Sequence, residues 1–220
     1  MQRIPLHHIF IALIVLLLSW APFALASAQA PSQTPEELIE STASRVMQAI
    51  EANRSRLQTD PSFLFGLVEE TILPHIDFDG MSKLILGKYW RTATPAQRDG
   101  FVTALRNNLV RTYTLQLADH ADKRLVVLPG RRPATDTNAT VNSEIVLGSG
   151  QPNLPVAYSL RLVGGKWKVY DLRFEGLSLV ANYRTNFATE IEQRGLDALI
   201  ERLNNTRVTP PQSQQTSAGS

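Results

Sequence analysis

The sequence predicts an α+β fold in which a curved antiparallel sheet of about four strands packs with several helices. Two observations favour this fold class. Between residues 35 and 120, apolar residues recur at helical spacing in segments that open with capping motifs. Between residues 124 and 175 the period changes to two, and Gly164-Gly165 reads as a tight turn between the last two strands.

The first 30 residues have the three parts of a cleavable secretion signal. Arg3 supplies a positive charge, Ile9 to Leu18 form an apolar run, and small-x-small patterns follow as far as Ala30. An uncleaved anchor is the alternative, but a membrane span needs about 20 apolar residues, and Ser19 interrupts this run. We therefore expect Sec-type cleavage near Ala28 or Ala30, and a soluble product that works outside the cytoplasm.

Composition excludes several classes of protein. The chain contains no cysteine, so neither a lipid-modified cysteine nor a disulfide-stapled secreted module is possible. Removing residues 1–30 takes away one arginine, which leaves 21 of the 22 basic residues against 20 acidic ones. This balance gives no electrostatic footprint for nucleic acid, and we expect none to bind. The remaining length suits one domain, predicted over residues 31–204.

Start signals place two helices at the beginning of this domain, whose helical part is expected to span residues 35–120. Thr34-Pro35-Glu36-Glu37 combines an N-cap threonine, proline at the first helical position and glutamate at the third, which is a capping box. This first helix is expected to end near Leu57. Asp60-Pro61 repeats the start signal, and Pro74 should stop the second helix.

Two further helices are predicted before the sheet. A third helix should begin after Asp77, which is interpreted as its N-cap, with Met81, Leu84 and Ile85 on one side. Thr94-Pro95-Ala96-Gln97 is another capping box, and it opens a long helix through about Asp119. The apolar stripe of this long helix consists of Phe101, Leu105, Leu109 and Tyr113.

The predicted strands span Arg124–Pro129, Thr140–Leu147, Pro155–Val163 and Lys166–Glu175. A two-residue turn fixes the register of the last hairpin. Leu162 should oppose Trp167, Leu160 should oppose Val169, and Tyr158 should oppose Asp171. In this register the apolar pairs lie near the turn on one face, whereas Ala157, Tyr170, Leu172 and Phe174 gather at the far end of the other. We interpret this change of face as strong coiling of the sheet.

The chain is predicted to end in helices and a polar tail. Ser178 opens a helix through about Gln193, Gly195 interrupts it, and a last short helix ends near Leu203. These helices occupy residues 178–204. Residues 205–220 are polar and contain proline, so a disordered tail is predicted.

Catalytic and metal-binding signatures are weak in this sequence. It has no P-loop, no H-E-x-x-H motif, no G-x-S-x-G motif and no thiol. The predicted mature chain has two histidines, His75 and His120. Although His75, Asp77 and Asp79 could ligate a metal, the segment lacks the remaining oxygens of a calcium loop, and His120 is interpreted as a favourable cation at a helix C-terminus. We expect no metal and no cofactor.

An enzyme remains an alternative. Tyr158, Tyr170 and Asp171 could form an acid/base set inside a cone-shaped sheet, as in ketosteroid isomerase-type pockets. The predicted register argues against this set, because Tyr170 and Asp171 are neighbours that should point to opposite faces. A third possibility is a scaffold protein without a ligand, in which every apolar residue is core.

A C-terminal motif and a central region resemble the MlaC family of periplasmic phospholipid-binding proteins, once called toluene-tolerance proteins. The C-terminal motif consists of Trp167–Leu172, Glu175–Val180, Asn182–Arg184 and Phe187. The central region consists of Pro74–Phe78, Met81-Ser82, Leu86–Arg91, Thr94-Pro95 with Gln97, and Phe101. The resemblance extends from about Glu36 to Leu203, which is nearly the whole predicted mature chain.

This resemblance implies a nuclear transport factor-like curved sheet packed with helices around a deep apolar pocket. The pocket would hold the acyl chains of a diacyl phospholipid, which is cargo rather than cofactor. The implied role is that of a monomeric periplasmic carrier, with no enzymatic activity. It would move lipid between an outer-membrane complex of MlaA with a porin and the MCE protein MlaD of an inner-membrane ABC transporter. That pathway maintains the lipid asymmetry of the outer membrane.

The lipid-binding residues expected from this resemblance are aliphatic and aromatic, since disordered chains need apolar area rather than directed hydrogen bonds. About half of them are expected to contact lipid, the rest being core. Exposed Lys88, Arg91, Arg131 and Arg132 are interpreted as solvated charges, or alternatively as contacts to an anionic membrane or acidic partner. The expected lipid-binding residues are Met81, Leu84, Tyr89, Phe101, Leu105, Leu109, Tyr113, Leu160, Leu162, Val169, Tyr170, Phe174, Val180, Tyr183 and Phe187.

Overall fold

A computed structural model describes residues 33–60, 62–115, 117, 123–130, 137–148 and 150–205. Several predictions lie outside these described residues: the signal segment 1–30, Pro61 of the second start signal, Asp119 and His120, Arg131 and Arg132, and the tail from residue 206 onward.

Helices precede the sheet in the chain. Their bounds are α1 (Pro35–Ala52), α2 (Arg54–Thr59), α3 (Phe63–Thr71), a short 3-10 helix (Leu73–His75), α4 (Phe78–Leu86), α5 (Lys88–Thr92) and α6 (Pro95–Tyr113).

The predicted caps are confirmed at three helix starts. Thr34 and Glu37 form both hydrogen bonds of the capping box at α1, and Thr94 and Gln97 form both at α6. At α4, the side chain of Asp77 accepts a hydrogen bond from the backbone N–H of Gly80 at 2.9 Å. These caps satisfy backbone N–H groups that have no partner within the helix.

Three helix boundaries differ from the prediction, including that of α6, which ends at Tyr113 rather than near Asp119. The first predicted helix is divided at Asn53, whose ψ of 23° departs from helical geometry, so that α1 ends at Ala52 and α2 follows it. The third is divided at Gly87, whose φ of 54° ends α4 and begins α5. Because side chains disfavour this left-handed backbone, glycine suits the break at residue 87.

The sheet contains the four predicted strands and a short fifth one. The strands are β1 (Arg124–Val127), β2 (Asn138–Val146), β3 (Leu154–Val163), β4 (Lys166–Phe174) and β5 (Leu177–Ser178). They pair antiparallel in sequence order, so each strand lies beside the next one in the chain. The mixture of helices with an antiparallel sheet confirms the predicted fold class.

The two C-terminal helices are also confirmed. Ser178 caps α7 (Leu179–Arg194) by accepting from the N–H of Ala181, and α8 (Leu196–Asn205) follows Gly195. Helix α7 packs on α4 and on β4, and α8 packs on α6. In the part of the chain that the structure describes, no helix is both long and apolar enough to cross a membrane.

Buried apolar residues form three clusters. The helical core lies among α4, α6, α7 and α8 and consists of Met81, Ile85, Leu86, Phe101, Ala104, Leu105, Val180, Phe187, Ile191, Leu199 and Leu203. The sheet cluster joins α1 to the sheet and consists of Leu38, Ile39, Val141, Leu160, Trp167 and Val169. A small cluster of Val46, Ile50 and Leu64 holds α1 against α3.

Candidate functional site

One face of the sheet is apolar across all four long strands. Directly opposed residues of an antiparallel pair point to the same face, and residues two apart along a strand share it. Applied to the observed pairings, these two rules assign one set of side chains to a single face. We call it the apolar sheet face, although it includes the buried Ser143. Its members are Leu125, Val127, Ala139, Val141, Ser143, Ile145, Leu154, Val156, Tyr158, Leu160, Leu162, Trp167, Val169, Leu172, Phe174 and Leu177.

The opposite face of the sheet is polar. Its cross-strand pairs include Thr140–Ser159, Asn142–Ala157, Arg161–Lys168 and Ser159–Asp171. An antiparallel sheet with one apolar and one polar face must cover the apolar one, with other elements or with a ligand. The apolar sheet face is therefore the candidate site.

The register of the last hairpin confirms two of the three predicted pairs. Leu162 lies opposite Trp167 and Leu160 lies opposite Val169, as the two-residue turn requires. The third pair is wrong, because Tyr158 lies opposite Leu172 rather than Asp171.

A β-bulge at Tyr170 causes this difference. The register shifts between Ser159 and Leu160, and Tyr170 is left without an opposed residue on β3. Leu172 and Phe174 consequently share a face with Val169, and the predicted change of face does not occur. A bulge bends its strand and increases the local twist, so it produces curvature that the sequence analysis attributed to coiling.

Helix α1 covers part of the apolar sheet face. Leu38 and Ile39, which are 4% and 6% exposed, pack against the buried centre of the face. Around this centre the face remains partly exposed. Its partly exposed members packed on the sheet cluster are Leu125, Val127, Ala139, Tyr158, Leu162 and Leu172.

One end of the apolar sheet face is open to solvent. Phe174 is 40% exposed, and its partner on β5, Leu177, is 74% exposed. Phe174 in turn lies opposite the buried Val156. The apolar surface thus runs without interruption from the covered centre to an exposed edge, which is the geometry an apolar ligand needs to enter from outside.

The structure divides the fifteen expected lipid-binding residues into groups. Three of them, Leu160, Leu162 and Val169, belong to or contact the sheet cluster. Phe174 lies at the open end of the same face, whereas the cation–π contact of Tyr170 with Arg161, at 5.9 Å, indicates the polar face. Eight lie in or against the helical core: Met81, Tyr89, Phe101, Leu105, Leu109, Val180, Tyr183 and Phe187.

The two remaining residues lie in neither cluster. Leu84 projects from α4 with 40% of its surface exposed, and Tyr113 lies half-buried at the end of α6. Thus no single cluster contains all of the expected residues. The largest group belongs to the helical core, where side chains pack closely against one another. The rings of Phe101 and Phe187, for example, meet edge to face at 6.0 Å.

Two surface depressions lie away from the apolar sheet face. One, of about 520 Å³, is lined by polar residues near the start of α1, including Glu37, Glu40 and Ser44. The other, of about 190 Å³, lies between α3 and α6 beside the ion pair of Glu69 with Arg106. Neither is lined by any of the fifteen expected residues.

Burial in apolar surroundings shifts the pKa values of two tyrosines. Burial raises the pKa of Tyr158, on the apolar sheet face, despite a hydrogen bond with Ser143. In the helical core, burial also raises the pKa of Tyr183 well above its usual range, and its neighbour Tyr113 adds to this effect. In both cases the apolar surroundings disfavour the charged phenolate.

The structure does not assemble the alternative acid/base set. The two carboxylate oxygens of Asp171 accept hydrogen bonds from the N–H of Val180 at 3.1 Å and from the hydroxyl of Ser178 at 2.8 Å. Asp171 thus anchors the start of α7. The bulge places Tyr170 and Asp171 on one face, contrary to the predicted register, but Tyr158 lies on the other face. These three groups cannot meet around one substrate.

The side chains around His75 do not form a metal site in the described part of the chain. Among the described residues, no three histidine, cysteine, aspartate or glutamate side chains lie close enough together to hold a metal ion. Burial and the neighbouring cations Arg45, Lys168 and Lys166 lower the pKa of His75. Asp77 serves instead as a helix cap and as the ion-pair partner of Arg161.

The central region and the C-terminal motif meet in space. The guanidinium of Arg184 lies against the backbone of Gly87, 3.3 Å from the position that a Cβ atom there would occupy. On the same helix, Glu192 accepts hydrogen bonds from Lys88 at 3.1 Å and from Tyr89 at 2.8 Å. These contacts hold α7 against the junction of α4 and α5.

Sequence reasoning missed much of the apolar sheet face. The alternation of Ala139, Val141 and Ile145 in β2 was a usable signal, although no residue of β1 or β2 was proposed as a site residue. Trp167 and Leu172 were assigned to strands but not to the site. Leu177 belongs to the C-terminal motif, and nothing local in the sequence indicates its exposure.

Comparisons with known proteins agree on one family. A family model described as MlaC protein matches residues 40–205. The chain is similar to toluene tolerance protein ttg2D of Pseudomonas putida, with 28% identity over 183 residues that cover 83% of each chain. It is also similar to the intermembrane phospholipid transport system binding protein MlaC of Haemophilus influenzae, with 22% identity covering 80% of this chain and 84% of the relative.

A solved structure extends the comparison to the fold. The phospholipid-binding protein from Ralstonia solanacearum, determined in complex with a phospholipid, superposes with a TM-score of 0.71. The two chains are 26% identical, and the match covers 79% of this chain and 96% of that one.

Proposed function

This chain belongs to the MlaC family, and we propose that it binds a phospholipid and carries it across the aqueous space between two membranes. The observation that carries this proposal is the apolar sheet face, which continues from a centre covered by α1 to the exposed Phe174 and Leu177. The names of two similar proteins support it. The Ralstonia protein holds a phospholipid, and the Haemophilus relative belongs to an intermembrane phospholipid transport system.

The physical requirement for such a carrier follows from the cost of exposing acyl chains. One buried methylene contributes about 0.8 kcal/mol, so a chain of roughly 16 carbons contributes on the order of 12 kcal/mol. A protein surface that replaces the membrane must therefore offer a long, continuous apolar area. The apolar sheet face provides such an area across four strands, and we assign the acyl chains to it.

This assignment gives the expected residues different roles. On the apolar sheet face, we propose that the partly exposed Leu162 and Phe174 contact the chains, whereas Leu160 and Val169, which are 0% and 4% exposed, are core. Phe101 and Leu105 belong to the helical core, are fully buried, and would support the site from a distance. The headgroup would remain near the open end at Leu177, where solvent can reach it.

The proposed pathway connects two membrane complexes. The carrier would exchange lipid with MlaA and a porin at the outer membrane and with the MCE protein MlaD of an ABC transporter at the inner membrane. We propose a periplasmic monomer, released after signal cleavage near Ala28 or Ala30, with no enzymatic activity and no cofactor. The lipid would be its cargo.

Native mass spectrometry of the purified mature protein tests phospholipid binding. We expect bound phospholipid at near one-to-one stoichiometry in the wild type. Val127→Gln should reduce this occupancy, because Val127 lies on the apolar sheet face opposite Ser143. The matched control is Val126→Gln, whose side chain lies on the polar face opposite Glu144 and is half-buried, like that of Val127.

The same experiment separates the rival functions. A ligand-free wild-type protein in repeated preparations would favour the scaffold. A bound small polar molecule, turned over in the presence of the protein, would favour an enzyme. Equal loss of lipid in Val127→Gln and Val126→Gln would show that the acyl chains do not lie on the assigned face.

A further inference from the structure

A cationic surface surrounds the junction between α4 and α5. Residues 80 to 98 include four basic side chains and no carboxylate, although Asp79 and Asp99 flank the segment. Arg184 of α7 joins them, because its guanidinium lies against Gly87 at the junction. We call this the basic junction surface, and its members are Lys83, Leu84, Lys88, Trp90, Arg91, Arg98 and Arg184.

Most of this charge has no carboxylate partner. Lys88 pairs with Glu192 at 3.1 Å, which neutralises one of the five cations. In the described part of the chain, no ion pair involves Lys83, Arg91, Arg98 or Arg184. The surface therefore carries four uncompensated positive charges within a chain that is otherwise nearly balanced.

An aromatic ring and an exposed leucine lie among these cations. The ammonium of Lys83 lies 5.7 Å from the centre of the Trp90 ring, and the guanidinium of Arg98 lies 5.5 Å from it. Arg98 also donates to the carbonyl of Trp90 at 2.9 Å, which holds it in place. Next to Lys83, Leu84 exposes 40% of its surface.

We propose that the basic junction surface docks on an anionic phospholipid bilayer. Lysine and arginine extend their charges toward anionic headgroups while tryptophan occupies the interfacial region. The exposed leucine supplies an apolar contact with the acyl boundary. A bilayer fits better than an acidic protein, because the exposed Leu84 and the ring of Trp90 lie among the cations, and a bilayer offers an apolar boundary directly beside its anionic headgroups.

Docking would bring a lipid carrier to the membrane that it serves, but this proposal does not depend on lipid carriage. The basic junction surface lies on the helical part of the molecule, and none of its members belongs to the apolar sheet face. Variants can therefore affect docking and lipid binding independently.

Vesicle flotation of the mature protein tests the proposal. Binding should be strong to vesicles of phosphatidylcholine mixed with phosphatidylglycerol, weak to phosphatidylcholine alone, and lost at high salt, where surface charges are screened. Each basic residue near an anionic bilayer contributes roughly fivefold in affinity, so Lys83→Gln with Arg91→Gln should lower binding about 25-fold. The control pair Lys166→Gln with Lys168→Gln removes the same charge from β4 and should have little effect.

Tryptophan fluorescence gives a second measurement. The predicted mature chain has two tryptophans, Trp90 and the buried Trp167. In Trp167→Phe, Trp90 is the remaining reporter, and its emission should shift to shorter wavelength when anionic vesicles are added. Leu84→Ser should weaken this binding to vesicles while the charge is unchanged.

Each outcome decides the proposal. The proposal would be overturned if the protein bound neutral and anionic vesicles equally, or if the two charge-pair variants lost the same binding. An unchanged Trp90 emission would also overturn it. So would binding to an acidic partner protein without any binding to vesicles. Lipid occupancy in native mass spectrometry should be retained by Lys83→Gln with Arg91→Gln. A wild-type protein that holds no phospholipid but still floats with anionic vesicles would instead contradict the proposed function alone.

Discussion

The carboxylate of Asp77 pairs with the guanidinium of Arg161, which lies 84 residues further along the chain. The same carboxylate accepts from the N–H of Gly80 at 2.9 Å and so caps α4. The backbone N–H of Asp77 donates to the carbonyl of Val169 in β4 at 2.8 Å. One residue therefore joins the start of a helix to two neighbouring strands of the sheet.

Asp77→Asn should destabilise the protein while keeping the cap, since asparagine is a good N-cap residue. The loss should be about 2 kcal/mol in the free energy of unfolding, between the values typical of exposed and buried pairs. Urea denaturation measures it. A double-mutant cycle with Arg161→Met should show a non-additive interaction, because each change removes the same ion pair.

The control for this cycle is Arg173→Met. Arg173 is half-exposed and lies 3.8 Å from the buried carboxylate of Asp171, which already has two other hydrogen bonds. Arg173→Met should therefore lower the free energy of unfolding by much less than Arg161→Met does. Strict additivity of Asp77→Asn and Arg161→Met would contradict the coupling inferred from the structure.

Gly80→Ala should be destabilising, although alanine favours helices, because the paired side chains of Arg161 and Asp77 would have to move. A Cβ atom at residue 80 would overlap the guanidinium of Arg161 and would lie 2.5 Å from Oδ2 of Asp77. The matched control is Gly66→Ala in α3, where a Cβ atom would have nothing within 4 Å. That change should raise stability by about 0.5–1 kcal/mol. Opposite shifts in melting temperature for the two variants are expected, and a stabilising Gly80→Ala would show that Arg161 lies elsewhere.

Local chemistry explains why much of the fold could be predicted. Capping motifs such as Thr34 with Glu37 act over three residues, and the strand period of two is visible in any short window. The two-residue turn at Gly164-Gly165 fixed the hairpin register as far as Leu160 opposite Val169. These features depend on neighbours in the sequence, so one sequence is enough to recognise them.

The remainder depends on contacts between distant residues. The bulge at Tyr170 has no turn or glycine to mark it, and it moves Leu172 and Phe174 to the other face. The pairing of Asp77 with Arg161 spans two elements whose relative position the sequence does not show. Likewise, the helical stripe at Phe101 and Leu105 predicted that these side chains are buried. It did not show whether protein or lipid would bury them.

The pH dependence of stability should include a contribution from His75. Burial and nearby cations lower the pKa of His75 below its usual value of 6.5. The unfolded chain therefore binds this proton more tightly than the folded protein, and stability should fall as pH decreases from 6.5 through the lowered pKa. His75→Gln removes this group, so its urea midpoint should decline less between neutral and mildly acidic pH. Identical declines in both proteins would contradict the burial of His75.

Leu177→Gln should slow lipid transfer without loss of stability. Its side chain is 74% exposed, so the folded protein gains little from it. If acyl chains pass over it, losing about 1 kcal/mol of apolar contact should reduce transfer between vesicles about fivefold. The control is Leu115→Gln, which changes a leucine that is 38% exposed just beyond the end of α6 and should leave transfer unchanged. Equal transfer rates in wild type and Leu177→Gln would remove the open end from the proposed route.

Leu105→Ala and Leu162→Ala should have opposite consequences, although sequence reasoning placed both residues at the lipid. Leu105 is fully buried in the helical core, and its truncation should cost about 2–5 kcal/mol in stability with lipid occupancy retained in the folded fraction. Leu162 is partly exposed on the apolar sheet face, so its truncation should cost less stability and reduce occupancy. Denaturation and native mass spectrometry on the same samples measure both quantities. If Leu105→Ala lowered occupancy more than Leu162→Ala, the acyl chains would have to lie among the helices, and the proposed site on the sheet would be wrong.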